Sequence, residues 1–297
     1  MSKFFKALEQ AEQERALRQQ GAAASRPPVA GPPVSDTTTQ ETSSDGVEEH
    51  LVSLLKPASF EAEQYRALRH LVEQLHKSAD LSVVAVSSPT RDDGKTTTAI
   101  NLAGALAQAS EARVLLVDAD LRGASLATHV GLDRSSRRGL VDAILDGSLT
   151  LEAVVQRRQP FNLSVLRAGR RPAAPYEVLK SPRVGELLQE ARRQYDYVVL
   201  DTPPLVSIPD CRVIGKWVDG FLIVVAAHKT PRKLLEEALS VTDPAKIVGI
   251  IFNSDDRSLS GYSYAHGRSS NGDGAGRWGR AITKKVRRLR RRHPSAG

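Results

Sequence analysis

The sequence predicts a doubly wound α/β domain on a mainly parallel sheet. Six short runs rich in Val, Ile and Leu recur at 81–87, 113–118, 163–167, 197–201, 221–227 and 247–253. Helical patterns alternate with them at 59–78, 95–109, 175–194, 208–217 and 231–241. The runs are apolar at successive positions (VVAV, VLLV, FLIVVA) rather than alternately, as expected of strands covered by helices on both faces.

Taken in order, residues 1–20 predict a short helix whose few large apolar positions are Phe4, Phe5, Leu8 and Leu17. Residues 21–49 are a Pro/Ser/Thr-rich stretch with almost no bulky side chain, expected to be a disordered linker because it buries too little to offset its ordering entropy. The folded domain is expected over 50–255, followed at 256–297 by a flexible, Tyr-containing and polybasic tail. Net charge is +8, but the segment 268–297 alone carries ten Lys/Arg against one acid, so the basic character belongs to the tail. No specific nucleic-acid partner is expected, since neither stacking aromatics nor a base-reading motif accompany that charge.

The single cysteine, Cys211, excludes a disulfide scaffold and suits a reducing compartment. Seven scattered His with no two at ligand spacing lead to the expectation of no zinc site. The longest apolar run, 221–227, falls far short of the ~20 residues that span a bilayer. The charged N-terminus lacks the apolar core of a signal peptide. A cytosolic, soluble chain is expected.

Chemistry is concentrated where the strands end. After the first strand comes SSPTRDDGKTTT running into a helix: a phosphate-binding loop, with Arg91, Asp92, Asp93, Gly94, Lys95, Thr96 and Thr97 as the ATP-contacting residues. Backbone amides and the helix start present positive potential to phosphate. Lys95 is expected at the β/γ phosphates and the Thr96 hydroxyl on Mg²⁺. The strict G-x-x-x-x-G-K-[ST] pattern is not met, because Pro89 stands where the first Gly belongs. The second strand ends in Asp118-Ala119-Asp120-Leu121-Arg122 and a later one in Asp201-Thr202-Pro203-Pro204. Carboxylates there lie beside the ligand-binding loop, and Asp118 and Asp201 join Thr96 as the expected Mg²⁺-setting residues.

These three motifs, in this order, resemble the signatures of the bacterial tyrosine kinases, P-loop enzymes associated with capsule and exopolysaccharide export. A fourth agrees: Glu63-x-x-Arg66-x-x-Arg69 in the helix before the first strand is similar to that family's ExxRxxR motif. Its i, i+3 spacing puts the three on one helix face. The resemblance covers about residues 50–255 and implies a P-loop NTPase type of sheet. It also implies an ATP- and Mg²⁺-dependent protein-tyrosine autokinase with Lys95, Asp118, Asp120 and Arg122 as catalytic residues, Asp120 lying near the acceptor hydroxyl. Glu63, Arg66 and Arg69 are implied as the interface of a homo-oligomer, a ring in that family.

The chain departs from the family pattern in three ways. Arg91-Asp92-Asp93 replaces Pro-Gly-Glu, with Asp93 fitting the acidic slot. Asp92 replaces a glycine with a residue that tolerates left-handed backbone better than most but sets another carboxylate near the phosphates, which is expected to weaken nucleotide binding. Tyr262 and Tyr264 are the only phosphoacceptor candidates in the tail, where relatives often carry a cluster. Fused membrane helices are missing, which implies the cytosolic half of a split system activated by a membrane-embedded polysaccharide co-polymerase, or chain-length regulator. Trp278, Ile282, Val286 and Leu289 fall on one face of a basic helix suited to an anionic membrane surface, consistent with a cytoplasmic protein peripherally associated with the inner face of the membrane. Two alternatives stay open: a nucleotide-dependent scaffold of polysaccharide export without kinase activity, and a positioning ATPase of the ParA/MinD kind. Thr90 stands where the signature Lys of the latter belongs.

Overall fold

The computed structural model describes residues 46–132 and 138–254. The expected N-terminal helix, most of the linker and the whole tail, with Tyr262, Tyr264 and the basic helical face, lie outside the described residues.

Within them the elements run α1 (Val52–Leu55), α2 (Phe60–Ala79), β1 (Val83–Ser87), α3 (Lys95–Ala107), β2 (Val114–Asp118), α4 (Leu126–His129), α5 (Leu140–Leu145), α6 (Leu151–Val154), β3 (Gln156–Arg158), β4 (Leu163–Leu166), α7 (Pro175–Lys180), α8 (Pro182–Gln194), β5 (Tyr197–Asp201), α9 (Asp210–Ile214), β6 (Gly220–Ala226), α10 (Arg232–Ser240) and β7 (Ile247–Asn253). The sheet order is β3-β4-β2-β5-β1-β6-β7. Every pairing is parallel except that of β3 with β4. This is the doubly wound, mainly parallel sheet expected from the sequence.

The period-2 geometry of a strand divides each apolar run between two cores. Val83 and Ala85 pack with Val198, Leu200 and Phe221 against α5–α10. Val84 and Val86 pack with Val199, Leu222 and Val224 against α1–α4. Both faces being dry explains why these strands carry no polar alternation.

Local signals account for the helix ends. Ser59 caps α2 by accepting from the Ala62 amide, Glu61 and Glu63 occupy its first turn and His76 and Lys77 its last, and Asp80 closes it in left-handed backbone (φ 52°). The helix expected at 175–194 is two helices. Ser181 (φ −57°, ψ 134°) ends α7 and caps α8, because the Pro182 ring disfavours helical backbone at the residue before it and supplies no amide. β3 was not expected; its QRR sequence is short and polar, and only pairing with β4 makes it a strand. No helix among the described residues is long and apolar enough to cross a membrane.

One carboxylate fastens the N-terminal ends of the central strands. Asp219, just before β6, accepts from the Ser82 and Val83 amides (2.9 and 2.8 Å) and from both terminal nitrogens of Arg192 on α8 (2.7 and 2.8 Å). Burial raises its pKa, but these donors outweigh burial and hold it below the ordinary carboxylate value. Asp219→Ala strands two strand amides and a guanidinium, and is expected to lower unfolding free energy by about 2 kcal/mol or more in urea titration. A loss under about 0.5 kcal/mol, the range of ordinary surface changes, would refute this role.

Candidate active site

The phosphate-type loop is assembled where β1 gives way to α3. Asp92 takes φ 61°, left-handed backbone that Asp tolerates better than most residues, and Gly94 follows at φ 91°. Its φ favours glycine, and a Cβ there would push aside the Asn253 side chain that packs over it. Thr98 N–H donates to the Gly94 carbonyl (2.9 Å), starting the helix that presents Lys95, Thr96 and Thr97.

A cleft of about 450 Å³ opens over this loop. It is lined by Arg91, Asp92, Gly94, Lys95, Thr96, Thr97 and Asp120 from the expected set, with Gly123, Ser125, His129, Pro204 and Ile208 added. Asp93 is placed differently from expectation. Its carboxylate is turned into the protein, accepting from the Thr90 amide and hydroxyl (both 2.9 Å) and from the Thr230 hydroxyl (2.6 Å). Its carbonyl accepts from Asn253 Nδ2 (3.0 Å). Asp93 is thus a brace of the loop, because a carboxylate only 1% exposed must be saturated with donors.

β2 and β5 are neighbours in register, so Asp118 and Asp201 stand side by side at their C-terminal ends. The Ala119 amide donates to the Asp201 carbonyl (2.8 Å), and Thr96 Oγ1 donates to Asp201 Oδ2 (2.7 Å). Lys95 Nζ donates to Asp120 Oδ2 (2.9 Å) and lies 3.8 Å from Asp201 Oδ1. Burial pulls the Lys95 ammonium down, but the charges of Asp201, Asp120 and Asp118 overcome this and hold its pKa above the ordinary value. The carboxylates bear the opposite strain. Burial, then the charges of Asp201 and Asp120, push Asp118 well above the usual range. Burial pushes Asp201 up to about 6 despite the help of Lys95 and Thr96.

Asp118 Oδ1 and Asp201 Oδ1 are buried without a hydrogen-bond partner among the described residues. Two orphaned carboxylate oxygens beside a hydroxyl are a donor set that fits a hard dication such as Mg²⁺. Arg122 is turned elsewhere: Nε and Nη2 donate to the two oxygens of the fully buried Asp210 (2.9 and 3.1 Å), joining the loop after β2 to α9. Glu63 and Arg66 pair at the surface of α2 (2.8 Å), as a shared stripe requires. Arg69 departs from that stripe, pairing with Glu73 (2.7 Å) and donating to the Ala105 carbonyl at the end of α3 (3.0 Å). The Cys211 thiol donates to the Pro203 carbonyl, and burial pushes its pKa up to about 11, so it is a packing group.

Sequence reasoning missed Thr230, Asn253, Asp210 and His129. Asn253 ends an apolar strand, as Asp118 and Asp201 do, and that position was its one visible signal.

The family description "AAA domain" matches residues 82–229. The chain is 34% identical over 210 residues to the tyrosine-protein kinase YwqD of Bacillus subtilis, covering 70% of this chain and 86% of that one. It is 32% identical over 206 residues to the succinoglycan biosynthesis transport protein ExoP of Rhizobium meliloti, covering 67% of this chain but 26% of that much longer protein. The solved kinase domain of the Escherichia coli tyrosine kinase ETK superposes with a TM-score of 0.64 at 27% identity, covering 75% of this chain and 84% of that one.

The raised pKa of Asp201 fixes a pH dependence. The folded chain binds this proton more tightly than the unfolded one, so the group lowers stability as pH rises from about 4 to 6 and keeps that penalty above. The displacement corresponds to about 3 kcal/mol at most. In Mg²⁺-free buffer Asp201→Asn is expected to melt several degrees higher than the parent chain at pH 8, the gap closing as pH falls from 6 to 4. Equal melting temperatures across that range would contradict the assignment.

Proposed function

The chain belongs to the bacterial tyrosine-protein kinase family, and on that premise we propose that it transfers the γ-phosphoryl of MgATP to tyrosine hydroxyls, Tyr262 and Tyr264 of its own tail or of a neighbouring copy among them. The observation that carries this reading is the gathering of Lys95, Thr96, Asp118, Asp120 and Asp201 at the C-terminal ends of β1, β2 and β5, under a cleft walled by the loop.

Phosphoryl transfer passes through a loose transition state, so catalysis is positioning and charge stabilisation. Loop amides and Lys95 hold the phosphates. Thr96, Asp118 and Asp201 would hold Mg²⁺, which when bound neutralises phosphate charge and stabilises the ionised form of the two carboxylates. Lys95 exchanges Asp120 for phosphate oxygens, and this exchange releases the Asp120 carboxylate at the cleft. There it orients the tyrosine hydroxyl and accepts its proton; a phenol of pKa ~10 needs a placed acceptor more than a strong base. Arg122 acts through Asp210, keeping the segment that carries Asp120 in place. It is a positioning residue.

The resemblance to ExoP, named for succinoglycan biosynthesis and transport, supports a role in exopolysaccharide or capsule production. A membrane-embedded co-polymerase is then the activating partner, and Glu63 with Arg66 the exposed contact of a homo-oligomer. Peripheral association with the inner face of the membrane, aided by the basic tail, follows from the same reading. Similarity to named tyrosine kinases favours transfer to tyrosine over a scaffold or a positioning ATPase.

The test is the intact mass of the purified chain before and after incubation with MgATP, beside a Lys95→Met variant whose folding is verified by circular dichroism. Whole-phosphate increments mapping to Tyr262 or Tyr264 are expected in the parent chain and none in the variant. Phosphorylation that persists in the folded variant sinks the site assignment. An unchanged parent mass with ATP bound, both alone and with the cytosolic segment of the co-polymerase added, sinks the autokinase reading.

A further inference from the structure

At the rim of the cleft, apart from the Thr96–Asp118–Asp201 set, lies a cluster that the kinase reading does not use. We propose that Glu48, His50 and His129 form a binding site for a transition-metal dication of the zinc class. Glu48 Oε2 stands 2.7 Å from His129 Nδ1 and 3.4 Å from His50 Nε2, and the ligand atoms of all three residues lie within 4.8 Å of one another. Ligand atoms about 2.1 Å from a tetrahedral zinc stand about 3.4 Å apart, so these side chains need only small shifts to share one ion. His129 Nδ1 is buried and, although close to Glu48, makes no hydrogen bond of acceptable geometry among the described residues. The imidazoles face each other edge to face, their centroids 5.7 Å apart.

The backbone holds the two segments together without the metal. The Glu48 amide donates to the His129 carbonyl (3.1 Å), and Val47 bridges Val130 in antiparallel fashion. Asn101, fully buried on α3, donates to the His50 carbonyl (3.2 Å) and accepts from the Ser53 amide (2.9 Å). Two imidazoles and a carboxylate suit zinc, cobalt or nickel far better than magnesium. The partial exposure of Glu48 and His50 leaves an entry path and an open position for water. The expectation of no zinc site rested on sequence spacing, whereas the fold brings together two histidines from segments far apart in sequence. An ion here ties the segment before α1 to the end of α4 and places positive charge beside the cleft that His129 lines.

The full chain, stripped with chelator and kept free of nucleotide, is titrated with ZnCl₂ by calorimetry in excess Mg²⁺, which saturates the Asp118–Asp201 set. One zinc per chain is expected, weakened by more than about tenfold in His50→Ala and in Glu48→Gln. With CoCl₂ in place of zinc, the visible bands of low-coordinate Co²⁺ are expected in the parent chain and lost in His50→Ala, a surface substitution that leaves the fold intact by circular dichroism. Absence of saturable binding overturns the proposal, and so does zinc affinity that is the same in parent and both variants. Because no ATP is present, either result is independent of the kinase reading.

Discussion

Three carboxylates, Asp118, Asp120 and Asp201, converge on the Lys95 ammonium at the ends of two adjacent parallel strands. In a poorly solvated setting this concentration of negative charge is unfavourable, and it survives only because strand register, the Thr96 hydroxyl and Lys95 hold it. The free chain therefore keeps the lysine among the groups that, in the proposed reaction, it must leave. In the proposed reaction the same imbalance would be relieved by a dication held at the two orphaned oxygens and by phosphate offered to the lysine.

The phosphate loop departs from the usual glycine-rich pattern and is held by other means. Asp92 supplies the left-handed backbone that a glycine would have supplied. Asp93, with its carboxylate turned inward, ties Thr90, Thr230 and Asn253 into one brace. Bracing that other loops draw from sequence-local turns is drawn here from Thr230, in the turn after β6, and from Asn253 of β7. An acidic loop is compatible with phosphate binding because one of its two carboxylates is consumed by internal donors.

The class of fold was legible because burial on both faces forces unbroken apolar runs, and each of the six expected strands lies within a residue or two of its place. The Asp motifs were legible for a related reason: polar residues can follow such a run only where the strand leaves the sheet. Contacts between distant segments were not legible. Nothing near Arg122 announces Asp210, and nothing near Asp93 announces Thr230, since each pair is joined only by the order of strands. Asp93 was read as a ligand contact because its position in the motif is visible while its χ angles are not. Arg69 was read as part of an outward stripe because helical spacing tells which residues share a face, not that a long side chain bends back to the Ala105 carbonyl.

The Asn253 contact bears on how the protein is made. Its amide closes on the Asp93 carbonyl across 160 residues, and the Thr230 hydroxyl reaches the same residue across 137. Such long-range closures carry a loop-entropy cost that local contacts do not. On the ribosome, β1 and the start of α3 emerge well before β7 exists. The nascent chain thus passes through a stage in which β1 exists while the Asn253 side chain that braces its phosphate loop has not yet been made.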